Sequence, residues 1–185
     1  MAPRLRILLV LSLVFMLSCS NVEDEPIAAF APKPITTVEI LLTDEAKNNE
    51  LFSFRDLDGP GGEAPDIRTN ILRPNTEYTS VLLMLDESVE PASNITNQVA
   101  IEGVDHQVFY VVDGTNMSIE YIDTDTDGNP LGILTSITTG DPGTSSLTIV
   151  LRFQPDKSAI GVNQGDLNNA GGDTDIEVTF EIEVR

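Results

Sequence analysis

The ten residues DIEVTFEIEV, at positions 175–184, carry the clearest structural signal in this chain. Apolar residues alternate there with four acidic residues and one threonine. Because side chains of a β-strand point to alternate faces, this period of two predicts a strand with one buried and one solvated face. The leucine, isoleucine, leucine and phenylalanine at alternate positions of SLTIVLRF, residues 146–153, make a second such face.

Similar runs rich in β-branched and aromatic residues recur from Thr36 onward, separated by clusters of Gly, Pro, Asn and Asp, as is typical of an all-β domain. Helical spacing is found only in SNITNQVAI, residues 93–101, where Ser93 is a candidate N-cap. We predict about nine strands, at residues 36–43, 50–55, 66–72, 77–86, 106–112, 117–123, 132–139, 146–153 and 175–184.

Nine antiparallel strands within residues 36–185 most economically form a two-sheet β-sandwich of immunoglobulin-like kind with one short helix. A small β-barrel is the alternative architecture. Turn sequences such as Asp113-Gly114 supply the positive φ angles that strand connections need. The longest stretch without a pattern, residues 154–174, is either a functional loop on this scaffold or a simple connection.

The N-terminal segment MAPRLRILLVLSLVFMLSCSN, residues 1–21, has the composition of a removable export signal. Two arginines precede eleven residues that are apolar apart from one serine, and Ser18 stands before Cys19. A membrane-spanning helix needs about 20 apolar residues, so this segment is too short to span. The arrangement resembles a bacterial lipobox. We therefore expect residues 1–18 to be removed and Cys19 to be lipidated, with an ordinary secretory signal as the alternative.

Residues 19–35 contain three prolines and the acidic run Glu23-Asp24-Glu25, so we predict an extended tether between the lipid and a folded domain at residues 36–185. The acidic run resembles the signal that Bacteroidota-type lipoproteins use for display on the outer surface. A solvated linker is the alternative. We expect a lipid-anchored protein of the outer membrane, at the cell surface or on the periplasmic leaflet.

Charge and cysteine content exclude several classes of function. Removal of residues 1–18 takes away two of the ten basic residues and none of the 30 acidic ones, so the mature chain has a formal charge of −22. Nucleic acids and anionic lipid headgroups need a basic face, so neither is an expected partner. With its single cysteine lipidated, the chain has no thiol for a disulfide, a nucleophile or a metal site.

One acidic stretch, DTDTDGN, matches the first half of a calcium-binding loop, with a glycine at the bend. Oxygen ligands stand at alternate positions on Asp123, Asp125, Asp127 and Asn129. The twelfth position is Leu134 and not the glutamate of an EF-hand, so a calcium site here would be of another type. The alternative is an acidic turn that joins two strands.

The only histidine, His106, follows Glu102 and Asp105 at the start of a predicted strand. Histidine with carboxylates can bind a divalent transition metal, but a single histidine in this position is more often an ordinary hydrogen-bonding residue. One histidine is too few for bis-histidine haem or for a three-histidine zinc site. The chain also has no Gly-x-Ser-x-Gly elbow. We expect neither enzyme activity nor a required cofactor.

Six segments carry a resemblance to a known family: DLDGPGGEAPDI (56–67), LRPNTEY (72–78), LDES (85–88), DHQVFY (105–110), DTDTDGNPLG (123–132) and NAGGDTDIEVTF (169–180). They resemble small Bacteroidota-type outer-membrane lipoproteins, commonly labelled type 1 periplasmic binding fold superfamily proteins. The resemblance covers most of the chain after the tether and implies association with TonB-dependent outer-membrane receptors. The label implies two α/β lobes, whereas the residue pattern predicts one β-domain, and our fold prediction follows the pattern.

Three functional hypotheses follow. The first is a non-enzymatic, lipid-anchored binding or accessory protein, associated with a TonB-dependent receptor in nutrient or metal uptake. The second is a calcium-supported adhesive or glycan-binding module, although three tyrosines and no tryptophan offer few aromatic platforms for sugars. The third is a small envelope hydrolase.

Substitution of Cys19 tests the anchor. We expect Cys19→Ala to abolish membrane retention, because the acyl chains on this thiol would supply about 0.8 kcal/mol of anchoring free energy per buried CH₂. Fractionation of cells with a high-salt wash measures retention. Ser20→Ala, one residue later, is the matched control and should stay in the membrane fraction. A Cys19→Ala protein that remains with membranes would contradict the lipobox interpretation.

Overall fold

The computed structural model of this chain describes residues 34–114 and 116–185. The predicted signal peptide, the lipidation at Cys19 and nearly all of the tether at 19–35 lie outside the described residues. Among the described residues, no helix has the length and apolar character needed to cross a membrane.

Ten strands and one α-helix make up the described domain. The strands are β1 Thr37–Asp44, β2 Asn49–Arg55, β3 Asp66–Arg68, β4 Glu77–Asp86, β5 Ser93–Asn94, β6 His106–Asp113, β7 Met117–Tyr121, β8 Leu134–Thr139, β9 Gly143–Phe153 and β10 Asp173–Val184. The helix α1 is Ile95–Ile101, and three single-turn 3-10 helices lie at Gly103–Asp105, Val162–Gln164 and Leu167–Asn169.

Each of the nine predicted runs overlaps one strand, and the tenth strand is the two-residue β5. The largest difference is at 66–72, where the strand covers only three residues and Leu72 makes an isolated parallel bridge to Val184. The predicted N-cap is wrong by one residue. Asn94 is the cap, because its side-chain oxygen accepts a hydrogen bond from the amide of Asn97 (2.9 Å).

The strands form two separate antiparallel sheets. The large sheet has the order β3-β2-β1-β4-β8-β7, with β5 paired to β4, and the small sheet has the order β10-β9-β6. The predicted two-sheet β-sandwich is therefore confirmed, and the barrel alternative is wrong because the described strands do not close into one sheet.

The core lies between the two sheets and is built by the predicted alternation. Val178, Phe180, Ile182 and Val184 of β10 are all buried, and the ring of Phe180 packs against that of Phe52 on β2 with centroids 5.9 Å apart. Every second residue of β1 and β4 faces the same core. Removal of these apolar side chains from water is the main stabilising contribution of the fold.

A second, smaller core covers the outer face of the small sheet. Phe109 of β6 and Val150 of β9 are buried there beneath Val162 and Ala170, which belong to the segment 154–174. The side chain of Gln107 holds this segment in place by donating to the carbonyl of Val162 (3.0 Å). Residues 154–174, for which a functional loop and a simple connection are the two sequence-based interpretations, therefore cover the outer face of the small sheet, and we call them the cover segment.

Truncation of Phe180 tests the central core. We expect Phe180→Ala to lower the free energy of unfolding by about 3–5 kcal/mol, because it removes a fully buried ring and leaves a cavity. Glu181→Ala is the matched control, because its side chain lies on the solvent face of the same strand and should change stability by less than about 0.5 kcal/mol. Urea unfolding of both variants measures the difference. Equal losses would contradict the burial of this strand face.

Candidate functional site

The acidic stretch predicted as a cation site forms the connection between β7 and β8, as the turn alternative requires. Thr124 and Pro130 pair across it in an isolated antiparallel bridge. Gly128 has a φ of 85°, a left-handed conformation that favours glycine at the tip. We call residues 123–130 the acidic hairpin.

Asp123 uses both carboxylate oxygens to hold the main chain where β8 begins. Oδ1 accepts a hydrogen bond from the amide of Gly132 (2.8 Å), and Oδ2 accepts from the amides of Ile133 (2.9 Å) and Leu134 (3.0 Å). Three charge-assisted bonds to one carboxylate fix the return of the hairpin into the sheet. The role of Asp123 in this structure is to shape the turn.

Asp125 forms a buried ion pair with Lys157. The distance between Lys157 Nζ and Asp125 Oδ2 is 2.7 Å, and the two side chains are 7% and 0% exposed. Lys157 Nζ also donates to the carbonyl of Gly103 (2.7 Å). The other oxygen, Oδ1, accepts from the amides of Asp127 and Asn129 (both 2.9 Å). This ion pair joins the acidic hairpin to the cover segment 154–174 and to the 3-10 helix Gly103–Asp105, which follows α1.

The pKa of Asp125 reflects this environment. Burial alone would raise it, but the hydrogen bond from Lys157, the amides of Asn129 and Asp127 and the charge of Lys157 together lower the pKa from its ordinary value of 3.8. Asp125 is therefore a carboxylate at neutral pH. Its charge is compensated by a cation that belongs to the chain itself.

The calcium hypothesis stays a prediction, but the geometry favours the turn. Of the four predicted ligands, Asp123 and Asp125 already accept six hydrogen bonds between them. The amides of the other two, the exposed Asp127 and the half-buried Asn129, donate two of these bonds to Asp125. Within residues 34–114 and 116–185, no group of three or more His, Cys, Asp or Glu side chains is arranged to hold a metal ion.

His106 lies close to a carboxylate, but not to the two that its sequence neighbours suggest. Its Nδ1 is 3.1 Å from the carbonyl oxygen of Glu102, its Nε2 is 3.7 Å from Asp175 Oδ2, and its ring packs against Phe153 with centroids 5.2 Å apart. No contact joins its ring to the carboxylate of Glu102 or Asp105. A set of one histidine and one aspartate is a poor basis for a transition-metal site.

A β-bulge brings Asp175 to His106. The register of β10 against β9 shifts between Thr174 and Ile176, so that Asp175 is the extra residue, and such bulges re-aim a side chain. Partial burial raises the pKa of Asp175. The charge interaction with His106 lowers this pKa, and the negative charge of Asp173 raises it, so that the net shift is upward. Period-two reasoning placed Asp175 on the face of Glu177 and Glu181 and missed the pair, because the bulge re-aims this one side chain while residues 176–184 keep their alternation.

A shallow cleft of about 370 Å³ lies where β1 ends and β4 begins, beside the turn that precedes Glu77. Arg73 is half-exposed in it and forms an ion pair with the buried Asp44 of β1. The hydrogen bond from the Asn48 side chain lowers the pKa of Asp44 against the effect of burial. The volume is at the lower end for ligand pockets, and the one guanidinium is already paired, so the cleft favours no particular ligand.

Replacement of Lys157 tests the buried ion pair. We expect Lys157→Met to lower the free energy of unfolding by about 3–5 kcal/mol at neutral pH, because Asp125 is left charged and buried without its cation. Arg185→Met is the control, since the Arg185–Glu183 pair is largely exposed and should contribute less than about 1 kcal/mol. Chemical unfolding of the three proteins measures both losses.

The same variant has a signed pH dependence. In the parent, the folded pKa of Asp125 is lowered, so its contribution to stability is present above the ordinary pKa and is lost as pH falls through the folded pKa. In Lys157→Met, uncompensated burial should raise that pKa. Lowering the pH through this raised pKa should then neutralise Asp125 in the variant, while the parent keeps its carboxylate, and should reduce the difference from the parent. A difference that is constant or grows would contradict this account.

Thermal unfolding with added cations tests the acidic hairpin. Because Asp123 and Asp125 are engaged with amides and Lys157, we expect 10 mM calcium to raise the melting temperature no more than magnesium at equal ionic strength. A calcium site of extracellular type, with a dissociation constant of about 10⁻⁴ to 10⁻³ M, would instead add on the order of 1.4–2.7 kcal/mol. A calcium-specific shift that Asp127→Asn removes would contradict the turn interpretation and support the calcium hypothesis.

Comparisons with known proteins do not assign this chain to a family. No family model, no curated protein and no solved structure matches it.

Proposed function

We propose that this chain is a lipid-anchored binding protein of the outer membrane, a non-catalytic accessory to a TonB-dependent receptor in nutrient or metal uptake. The observation that carries the proposal is the order of features along the sequence. A positive and apolar segment with the composition of an export signal stands before Cys19, an acidic stretch with three prolines follows, and a β-sandwich domain comes after it. This is the order expected of a protein that is held at a membrane and presents a rigid domain away from it.

The use of the buried charged groups supports a binding role over a catalytic one. Catalytic acids and bases are usually held with their reactive atoms free to meet a substrate. Here the buried Asp125 and Lys157 bind each other and the main chain, and Asp123 binds three amides. His106 packs against Phe153 and is 7% exposed. These groups stabilise the scaffold.

The positions of the tyrosines argue against the glycan-binding alternative. Sugars usually stack on exposed aromatic faces. Tyr78 is buried, and Tyr110 and Tyr121 pack edge to face with centroids 6.3 Å apart. Their hydroxyl groups donate to the carbonyls of Gly132 (2.6 Å) and Val108 (2.9 Å). All three tyrosine rings therefore pack within the domain and offer no open face to a sugar.

Crosslinking in the native outer membrane tests the proposed function. A lysine-reactive crosslinker, followed by affinity purification of the tagged protein, should recover a TonB-dependent receptor from cells that carry the parent protein. Cys19→Ala, which should release the domain from the membrane, is the control and should recover much less. Recovery of polysaccharide without a receptor would favour the adhesive alternative and overturn the accessory role.

A further inference from the structure

A continuous row of exposed aliphatic side chains crosses the outer face of the large sheet. Leu51 of β2 pairs with Leu41 of β1, Leu41 with Val81 of β4, and Val81 with Leu134 of β8. Ile122 follows β7 directly, and its amide donates to the carbonyl of Leu134 (3.1 Å). In this order the five residues are 41%, 38%, 42%, 36% and 54% exposed. We call them the apolar row.

The apolar row is long enough to receive one element of a partner. Neighbouring strands are about 4.8 Å apart, so four intervals give a length of about 19 Å. On one side of the apolar row lies a polar row of mostly short side chains: Asn49, Thr43, Thr79, Ser136 and Glu120. Asparagine, threonine and serine are too short to fold over the aliphatic groups, so the apolar row stays open to solvent.

The small sheet shows that this chain can cover an apolar outer face when it has a segment for that purpose. Phe109 and Val150 on that face are at most 1% exposed, because Val162 and Ala170 of the cover segment lie on them. No described segment covers the apolar row in the same way. Contiguous exposed apolar surface of this kind on a soluble domain commonly marks an interaction site.

The charges beside the apolar row indicate the chemistry of the partner. Glu39, Glu77 and Glu120 project from the same face as the row, and within residues 34–114 and 116–185 none of them forms an ion pair. The two arginines of this face are already paired, Arg55 with Glu87 and Arg68 with Asp66. Glu77 Oε1 accepts a hydrogen bond from Ser136 Oγ (2.9 Å), which leaves its charge without a cation. The face therefore combines an aliphatic centre with carboxylates that have no cationic partner among the described residues.

We propose that the apolar row is the docking surface for a protein segment that carries aliphatic side chains flanked by lysine or arginine. Such a segment buries the row and pairs with the carboxylates of Glu39, Glu77 and Glu120. A second copy of this chain is disfavoured as the partner, because its carboxylates would repel those of the first. An anionic lipid surface is disfavoured as well, because the mature chain has a formal charge of −22. The proposal deepens the proposed function and rests on it only for the identity of the natural partner.

A synthetic peptide tests this surface without knowledge of that partner. The probe is an 18-residue amphipathic helix of leucine and lysine, and a leucine–glutamate peptide of the same pattern is its control. Binding is measured by fluorescence anisotropy with the lipidated full-length protein in nanodiscs of zwitterionic lipid. We expect the leucine–lysine peptide to bind, and Leu41→Ser with Val81→Ser to weaken its affinity by about tenfold, because two aliphatic contacts are lost.

Two further variants keep the test decisive. Thr43→Ser with Thr79→Ser changes the neighbouring polar row and should bind as the parent does. Glu39→Gln with Glu120→Gln keeps the aliphatic side chains and should weaken binding and its salt dependence, a result that holds even if the serine variant folds poorly. If the parent and the Leu41→Ser, Val81→Ser protein bind the leucine–lysine peptide with equal affinity, the binding is plain charge attraction and the proposal is overturned. The proposal is also overturned if the parent forms a dimer that the same two substitutions dissociate, because the row then binds a second copy of this chain.

Crosslinking in native membranes separates this inference from the proposed function. If the parent recovers the receptor and Leu41→Ser with Val81→Ser does not, both stand. If both proteins recover it equally, the accessory role stands and the docking surface is wrong. If the parent recovers no receptor but the peptide result depends on the apolar row, the surface stands and the proposed function fails.

Discussion

The alternation of apolar and polar side chains along each strand is the constraint on which the rest of this structure depends. It gives every sheet two different faces, and the inner faces of both sheets meet in a core around Phe52 and Phe180. The outer faces of the two sheets differ in whether a segment of the chain covers them. The small sheet is covered by residues 154–174, whereas the large sheet presents the apolar row to solvent. The two outer faces of the domain therefore differ in how much apolar surface they expose.

The sequence predicted the strands and the sandwich because their signal is local. Alternation within ten residues identifies β10, and turn residues separate it from its neighbours. What the pattern missed requires knowledge of distant segments. Val150 interrupts the alternation of β9 because it faces the second core, and that core exists only when Val162 and Ala170 fold back over it. Local alternation therefore predicts strands, but not the packing of segments that lie far apart in the sequence.

The candidate sites show the same limit in chemical terms. The spacing of Asp123 and Asp125 indicates oxygen ligands on one side of a loop, but it cannot show that Lys157, 32 residues later, supplies the cation. Likewise, the pairing of His106 with Asp175 depends on a bulge that no composition or period reveals. Acidic residues in a turn can satisfy main-chain amides as well as metal ions, and only the surrounding chain decides between them.

The position of β10 at the margin of the small sheet has a consequence for crowding. An outermost strand of twelve residues presents unpaired main-chain groups that could recruit a strand from a neighbouring molecule. Its exposed Glu177, Glu181 and Glu183 place negative charge beside those groups, and the parallel bridge from Leu72 closes its last residues. Two such margins brought together would therefore repel each other and oppose strand pairing between molecules, whereas a neutral edge strand would favour it.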